Sequence, residues 1–142
     1  MQVAKSLTGF ACAHRHFAAT SHCRFVHGYE RSFTLIIEGA VDPETGWVID
    51  FGAFQPLRRA LENQFDHTLI IAPEDPLREH FETLDDAGGC QLRVMEHPGM
   101  EGAARWVWDI ASTFITDTTG GRASLVEVEA RESGQNAVRY RA

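Results

Sequence analysis

The hydrophobic period of this sequence changes twice along the chain, and that change most narrows the folds open to it. The segment from Arg31 to Ile37 (RSFTLII) is rich in β-branched and aromatic residues and reads as a strand, with a first strand around Val3 to Ala13. From Phe54 the apolar residues Phe54, Leu57, Leu61 and Phe65 recur at steps of three and four. That is a helical stripe, and it accepts Pro56 in its first turn. A second helix is expected from Met100, with Ala103, Val107, Ile110, Ala111 and Phe114 on one face. After a turn at Gly120-Gly121, Val126 and Val128 alternate with Glu127 and Glu129, as in a half-buried strand. Asn136 to Tyr140 can pair with it as a hairpin. Between these elements lie a turn (VDPETG), a short apolar piece from Trp47 to Phe51, and a polar stretch from Asp75 to Gly89. The polar stretch reads as a loop with room for a short helix. The order β-β-α-α-β-β predicts an α+β domain, an antiparallel sheet with two helices on one face.

The 142 residues suffice for one domain, 1–142, with a real core. No apolar run approaches the roughly 18 residues of a membrane span. The N-terminus lacks the continuous apolar stretch of a signal peptide, so the cytoplasm is the expected compartment. A net charge of −7, from 20 acidic and 13 basic residues, argues against a general nucleic-acid binder, which needs a basic surface to replace counterions. Cys12, Cys23 and Cys90 form an odd set without a CxxC pair, which argues against a disulfide framework.

Five of the seven histidines, His14, His16, His22, His27 and His67, lie in the first half of the chain. If Gly9 to His16 is extended, His14 and His16 project to one face, and the same rule puts His27 and Tyr29 together. Two adjacent strands would then present imidazoles to a single point, as zinc requires: three nitrogens at about 2.0–2.1 Å and an open fourth position. The bland alternative is a set of surface or hydrogen-bonded histidines. Cys23 stands four residues before His27. A thiol near an imidazole or metal can serve as nucleophile or base, although burial as an inert side chain is the common fate of a free cysteine.

Asp66-His67 follows the first helix. A carboxylate holding one imidazole nitrogen leaves the other free to shuttle a proton. Adjacent side chains usually diverge, so Asp66 has the alternative of orienting another group. Glu132 is expected on the face of Val126 and Val128, where a buried carboxylate needs a cation or donors from a ligand. A pterin or guanine edge offers two parallel N–H donors to such an acid.

These pieces occur in an order that resembles the 6-pyruvoyl-tetrahydropterin synthase / 6-carboxy-tetrahydropterin synthase family. The matching runs are His14, then Cys23-Arg-Phe-Val-His27-Gly28, Gly46-Trp-Val-Ile-Asp-Phe51 and Phe65-Asp66-His67. Pro98-Gly-Met-Glu101-Gly-Ala-Ala104-Arg-Trp-Val-Trp108 is similar to the family's P-T-x-E-x-L-A-x-W-x-W helix, and Val126-x-Val128-x-Ala-Arg-Glu132-Ser133 to its V-x-V-x-x-x-E-T strand. Tyr140 stands at the family's spacing, so the matches span about Phe10 to Tyr140.

The resemblance implies a T-fold (tunnelling fold): a four-stranded antiparallel sheet with two helices on one face, closed into trimeric barrels that stack as a hexamer, with active sites between subunits. It implies 7,8-dihydroneopterin triphosphate as substrate. Cys23, Asp66 and His67 would be catalytic, Glu132 would anchor the pterin with Ser133 and Glu101 nearby, and His14 and His27 would bind zinc. The family's third zinc histidine is Tyr29 here, which leaves His16, with His22 as a second candidate, to supply the missing nitrogen. Weak zinc binding, a different metal and an empty site stay open as well. The family's threonine is Gly99, and the segment from Ile71 to Glu96 is longer than expected. The first reading is a lyase giving 6-carboxy-tetrahydropterin for 7-deazaguanine and queuosine synthesis. Against it stand 6-pyruvoyl-tetrahydropterin synthase activity, a pterin-binding paralogue without catalysis, and a structural protein.

Overall fold

Two long strands, β1 (Gln2–His14) and β2 (His27–Gly39), pair antiparallel over most of their length in the computed structural model, which describes residues 1–142. Leu7 faces Phe33 while Phe10 faces Arg31, so β1 carries one residue more than β2 in this interval. Gly9, with φ 91°, takes the backbone conformation that such a bulge requires. The extra residue changes parity, and Leu7, Phe10, Cys12 and His14 all end on the buried side.

Four further strands, β3 (Thr68–Ile71), β4 (Leu92–Val94), β5 (Ala123–Glu132) and β6 (Asn136–Tyr140), complete a sheet of order β4-β3-β1-β2-β5-β6. The expected four-stranded antiparallel sheet is therefore its β1-β2-β5-β6 part. The additions, β3 and β4, run parallel on the edge of β1, where Cys12, Ala13 and His14 face Thr68, Leu69 and Ile70. Strands of three or four residues are too short to show a period, which is why the sequence hides them.

A second irregularity lies between β2 and β5: Ile36 faces Glu127, but Ile37 faces Leu125. Val126 is the unpaired residue, and the inward position expected for it belongs to Leu125. From there the alternation is as expected, with Val128 and Ala130 buried and Glu132 following them on the inner face.

There are three α-helices where two were expected: α1 (Gln55–Phe65), α2 (Arg78–Asp86) and α3 (Met100–Thr119). Asp50 caps the short turn before α1 by accepting the Gly52 N–H at 2.7 Å, and Pro56 lies in the first helical turn. Leu57, Leu61 and Phe65 of α1 are buried, each contributing about 1.5–3 kcal/mol. Helix α3 packs on β5 and β6, α1 packs on β1, and the two touch. The additional helix, α2, occupies the polar stretch read as a loop; it buries no residue, so it carries no core-facing stripe to read. Phe33 lies at the centre of the core, with ring centres 6.0 Å from Phe10 and 5.1 Å from Phe65.

Candidate active site

Past the end of β1 the chain turns through residues 15–26 before re-entering the sheet as β2. The His16 N–H donates to the Cys23 carbonyl at 3.0 Å, which draws the loop back against the strand end. Cys23 sits in a single 3-10 turn, His22–Arg24, capped by Ser21, whose hydroxyl accepts the Cys23 N–H at 3.4 Å. His14, His16, Cys23 and His27 thus line one cavity of about 330 Å³, closed by Glu101 from the first turn of α3 and by Glu132 from the end of β5. All six were singled out from the sequence, although not every residue singled out there lies in this cavity.

His14 is 3% exposed, and its ring centre lies 4.5 Å from that of His27 and 5.4 Å from that of His16. Burial, reinforced by the Arg31 guanidinium and by the imidazoles of His27 and His16, pushes His14 down to about 3. It is therefore a neutral imidazole near pH 7. The His27 Nδ1 lies 2.8 Å from the Phe25 carbonyl, which can only accept. Nδ1 accordingly donates to that carbonyl, and Nε2 is the ring nitrogen left without this partner.

Tyr29 departs from the expected grouping. Its ring centre is 6.1 Å from that of His27, but the side chain lines a separate, larger cavity of about 720 Å³ between the β1–β2 hairpin and α2. Asp66 and His67 are also outside the histidine cavity, and His67 lines the larger one. The two side chains do meet: His67 Nδ1 donates to Asp66 Oδ1 at 2.9 Å. Neighbours normally diverge, but His67 has φ 56°, and this left-handed turn folds the ring back onto the carboxylate. Asp66 Oδ1 also accepts the Ala11 N–H at 3.2 Å, while the His67 side chain remains 77% exposed. Ser133 is exposed in the β5–β6 turn with φ 62° and does not line the cavity. His22 does not line it either.

Sequence reasoning missed Arg31. It is 1% exposed, donates from Nη2 to the Pro98 carbonyl at 2.9 Å, and lies 5.6 Å from the Phe65 ring centre. Its Nη1 has no partner. Burial lowers its pKa, and attraction to Cys12 and Glu132 opposes that shift. The signal was present: Arg31 shares the period-two face of Phe33, Leu35 and Ile37, where a cation is out of place.

No three His, Cys, Asp or Glu side chains stand ready-made around one point as a metal site. The donor set nevertheless fits the zinc ion that the resemblance implies. Three imidazoles share the cavity, the Nδ1 of His14 is buried without a partner, and His27 offers a free Nε2. Tetrahedral zinc, about 2.0–2.1 Å from each nitrogen, would set the ligand nitrogens roughly 3.3 Å apart. No helix is long and apolar enough to cross a membrane.

Residues 3–142 match the family model for 6-pyruvoyl tetrahydropterin synthase. Among solved structures, the fold is similar to an uncharacterized protein from Wolinella succinogenes, at 20% identity and TM-score 0.80, covering 99% of this chain and 97% of that one. It is similar to a catalytic-residue mutant of Plasmodium vivax 6-pyruvoyltetrahydropterin synthase, at 18% identity and TM-score 0.69, covering 100% and 98%. The Caenorhabditis elegans 6-pyruvoyl tetrahydropterin synthase matches at 19% identity and TM-score 0.63, covering 100% and 94%.

Proposed function

We propose that this chain, which belongs to the 6-pyruvoyl tetrahydropterin synthase family, converts 7,8-dihydroneopterin triphosphate to 6-carboxy-tetrahydropterin for 7-deazaguanine and queuosine synthesis. Membership makes it a pterin-processing lyase; the choice of substrate and product is the proposal. The observation that carries it is the convergence of His14, His16, Cys23, His27, Glu101 and Glu132 on one small cavity. A module that only bound a pterin would need Glu132 but would have no use for Cys23 at the same cavity.

In this reading Glu132 accepts the two N–H donors of the pterin edge and fixes the ring, with Glu101 and Ser133 nearby. His14, His27 and His16 would hold a zinc ion, which when bound supplies polarisation of the side-chain oxygens and acidifies the neighbouring C–H groups. Cys23, as thiolate, takes a proton from the side-chain carbon, and His67, held through Nδ1 by Asp66, moves the second proton through Nε2. Triphosphate leaves by elimination, and with water added the two terminal side-chain carbons leave as acetaldehyde. Cys23 and His67 line different cavities of one chain, so this reading has them meet across a subunit boundary. It carries with it a hexamer of two stacked trimers, residues 1–142 acting as a single domain, and a cytoplasmic location.

A 6-pyruvoyl product is the nearest alternative, since related proton transfers would eliminate triphosphate from the same substrate. A binding paralogue is favoured by one feature, the turning of Tyr29 to the other cavity. Incubation with 7,8-dihydroneopterin triphosphate and identification of the product separates the three. Formation of 6-carboxy-tetrahydropterin that disappears in Cys23→Ala is the expected result; a 6-pyruvoyl product, or tight binding without turnover, overturns it.

A further inference from the structure

Two positions depart from the family pattern, tyrosine at 29 and glycine at 99; Tyr29 lines the other cavity, whereas Gly99 lies against His16. Gly99 immediately precedes α3 with φ −78° and ψ −167°, a conformation open to any residue. Its backbone therefore does not call for glycine. Nor does the helix, which is left without a side-chain cap there, where a threonine hydroxyl would cap it. With the ring of His16 where it stands, space does call for it. A Cβ on residue 99 would lie 2.6 Å from Nε2 and 2.7 Å from Cε1 of His16. The imidazole of His16 fills the volume that a side chain at position 99 would take.

Arg15, between the two histidines, turns away to Asp75, with Nε and Oδ2 3.0 Å apart and both side chains largely buried. Its guanidinium also lies 5.9 Å from the Phe81 ring centre on α2. His14 and His16 line the cavity together even though β1 has ended at His14.

We infer that the third nitrogen donor for a divalent cation has moved from position 29 to His16, and that Gly99 is the position that admits it. This rests on the metal-assisted reading above. Tyr29 has no part in the site.

The test uses full-length protein and zinc itself. Zinc per chain is measured after dialysis, affinity by competition with a chromogenic chelator, and ligand number from the visible spectrum of the cobalt-substituted protein. The wild type is expected to hold one zinc per chain. Gly99→Ala, which displaces the ring, should weaken binding by about 10–100-fold, the range for disturbed surroundings of a metal ligand. His16→Ala, which removes the ligand, should weaken it further, while Tyr29→Phe leaves it unchanged. The stability lost in Gly99→Ala should return in Gly99→Ala/His16→Ala, because the new methyl group then meets no ring. Wild-type affinity in both single variants, loss of zinc in Tyr29→Phe, or additive stability losses in the double variant would overturn the inference while leaving the metal-assisted reading in place. A wild type that takes up no zinc would overturn both.

Discussion

Arg31 donates from Nη2 to the Pro98 carbonyl at 2.9 Å and so ties β2 to the segment that leads into α3. Two opposed effects decide what this contact contributes. Removing the guanidinium leaves the carbonyl without its donor, a cost of about 1–3 kcal/mol. It also relieves a cation that is buried with Nη1 unpartnered, and replacing buried charge by apolar groups often gains about 1–4 kcal/mol. Arg31→Met should therefore leave the unfolding free energy within about 1 kcal/mol of wild type. Arg31→Ala adds a cavity and should cost about 2–5 kcal/mol. Urea denaturation of both variants tests the pair, and a large loss in Arg31→Met would show that the clamp outweighs the desolvation.

Cys23 and His67 line separate cavities of one chain, which gives the subunit-boundary reading a direct test. Cys23→Ala and His67→Ala should each be inactive alone. Refolded together in equal amounts, they should recover about a quarter of wild-type turnover, because a site needs an intact Cys23 from one copy and an intact His67 from its neighbour. Mixed oligomers without activity would overturn the subunit-boundary reading, and an active His67→Ala variant would remove Asp66 and His67 from the mechanism.

Gly102 lies inside the first turns of α3, where alanine would ordinarily stabilise a helix by about 1 kcal/mol. Here the added Cβ would run into the His97 carbonyl, and backbone cannot step aside as a flexible side chain can. Overpacking should win: Gly102→Ala is expected to lose about 1–3 kcal/mol in denaturant unfolding. A more stable variant would mean that the His97 turn is free to move.

On the outer face of β5, Glu129 accepts hydrogen bonds from Arg131 at 2.6 Å and from Arg139 at 2.7 Å. These bonds hold its carboxyl below the ordinary value. A lowered folded-state value means that the stabilisation is present above the unfolded value and is lost as pH falls through the folded one. Glu129→Gln should therefore cost about 1 kcal/mol or less at neutral pH and show a shallower loss of stability on acidification. An acid profile parallel to that of wild type would show that the cluster contributes nothing.

Much of the site could be read from residue order alone, because its parts are short local patterns: Cys23 four residues before His27, the Asp66-His67 pair, and Glu132 at the end of an alternating strand. What order could not convey was which of them share a cavity. Alternation puts His27 and Tyr29 on one face, yet Tyr29 lines the cavity beside α2. Asp66-His67, which chemistry would set beside Cys23, lies away from it within one chain. Adjacent side chains were expected to diverge, and only the left-handed backbone at His67 brings its ring onto Asp66.

By itself, the sequence determined the elements that carry a period: the α1 stripe of Leu57, Leu61 and Phe65, the long α3 face, and the inward alternation of Val128, Ala130 and Glu132. Burial of a repeated apolar face dominates the energy of such segments, so their pattern is written locally. The bulge at Gly9 was decided only in three dimensions. Counting by twos from Leu7 would turn His14 to the outer face, and it is pairing with β2 that inserts the extra residue and turns His14 inward. The space that Gly99 leaves for His16 is likewise invisible in one dimension. Whether a missing methyl group matters depends on which ring stands where it would have been, and that contact joins residues that no local pattern connects.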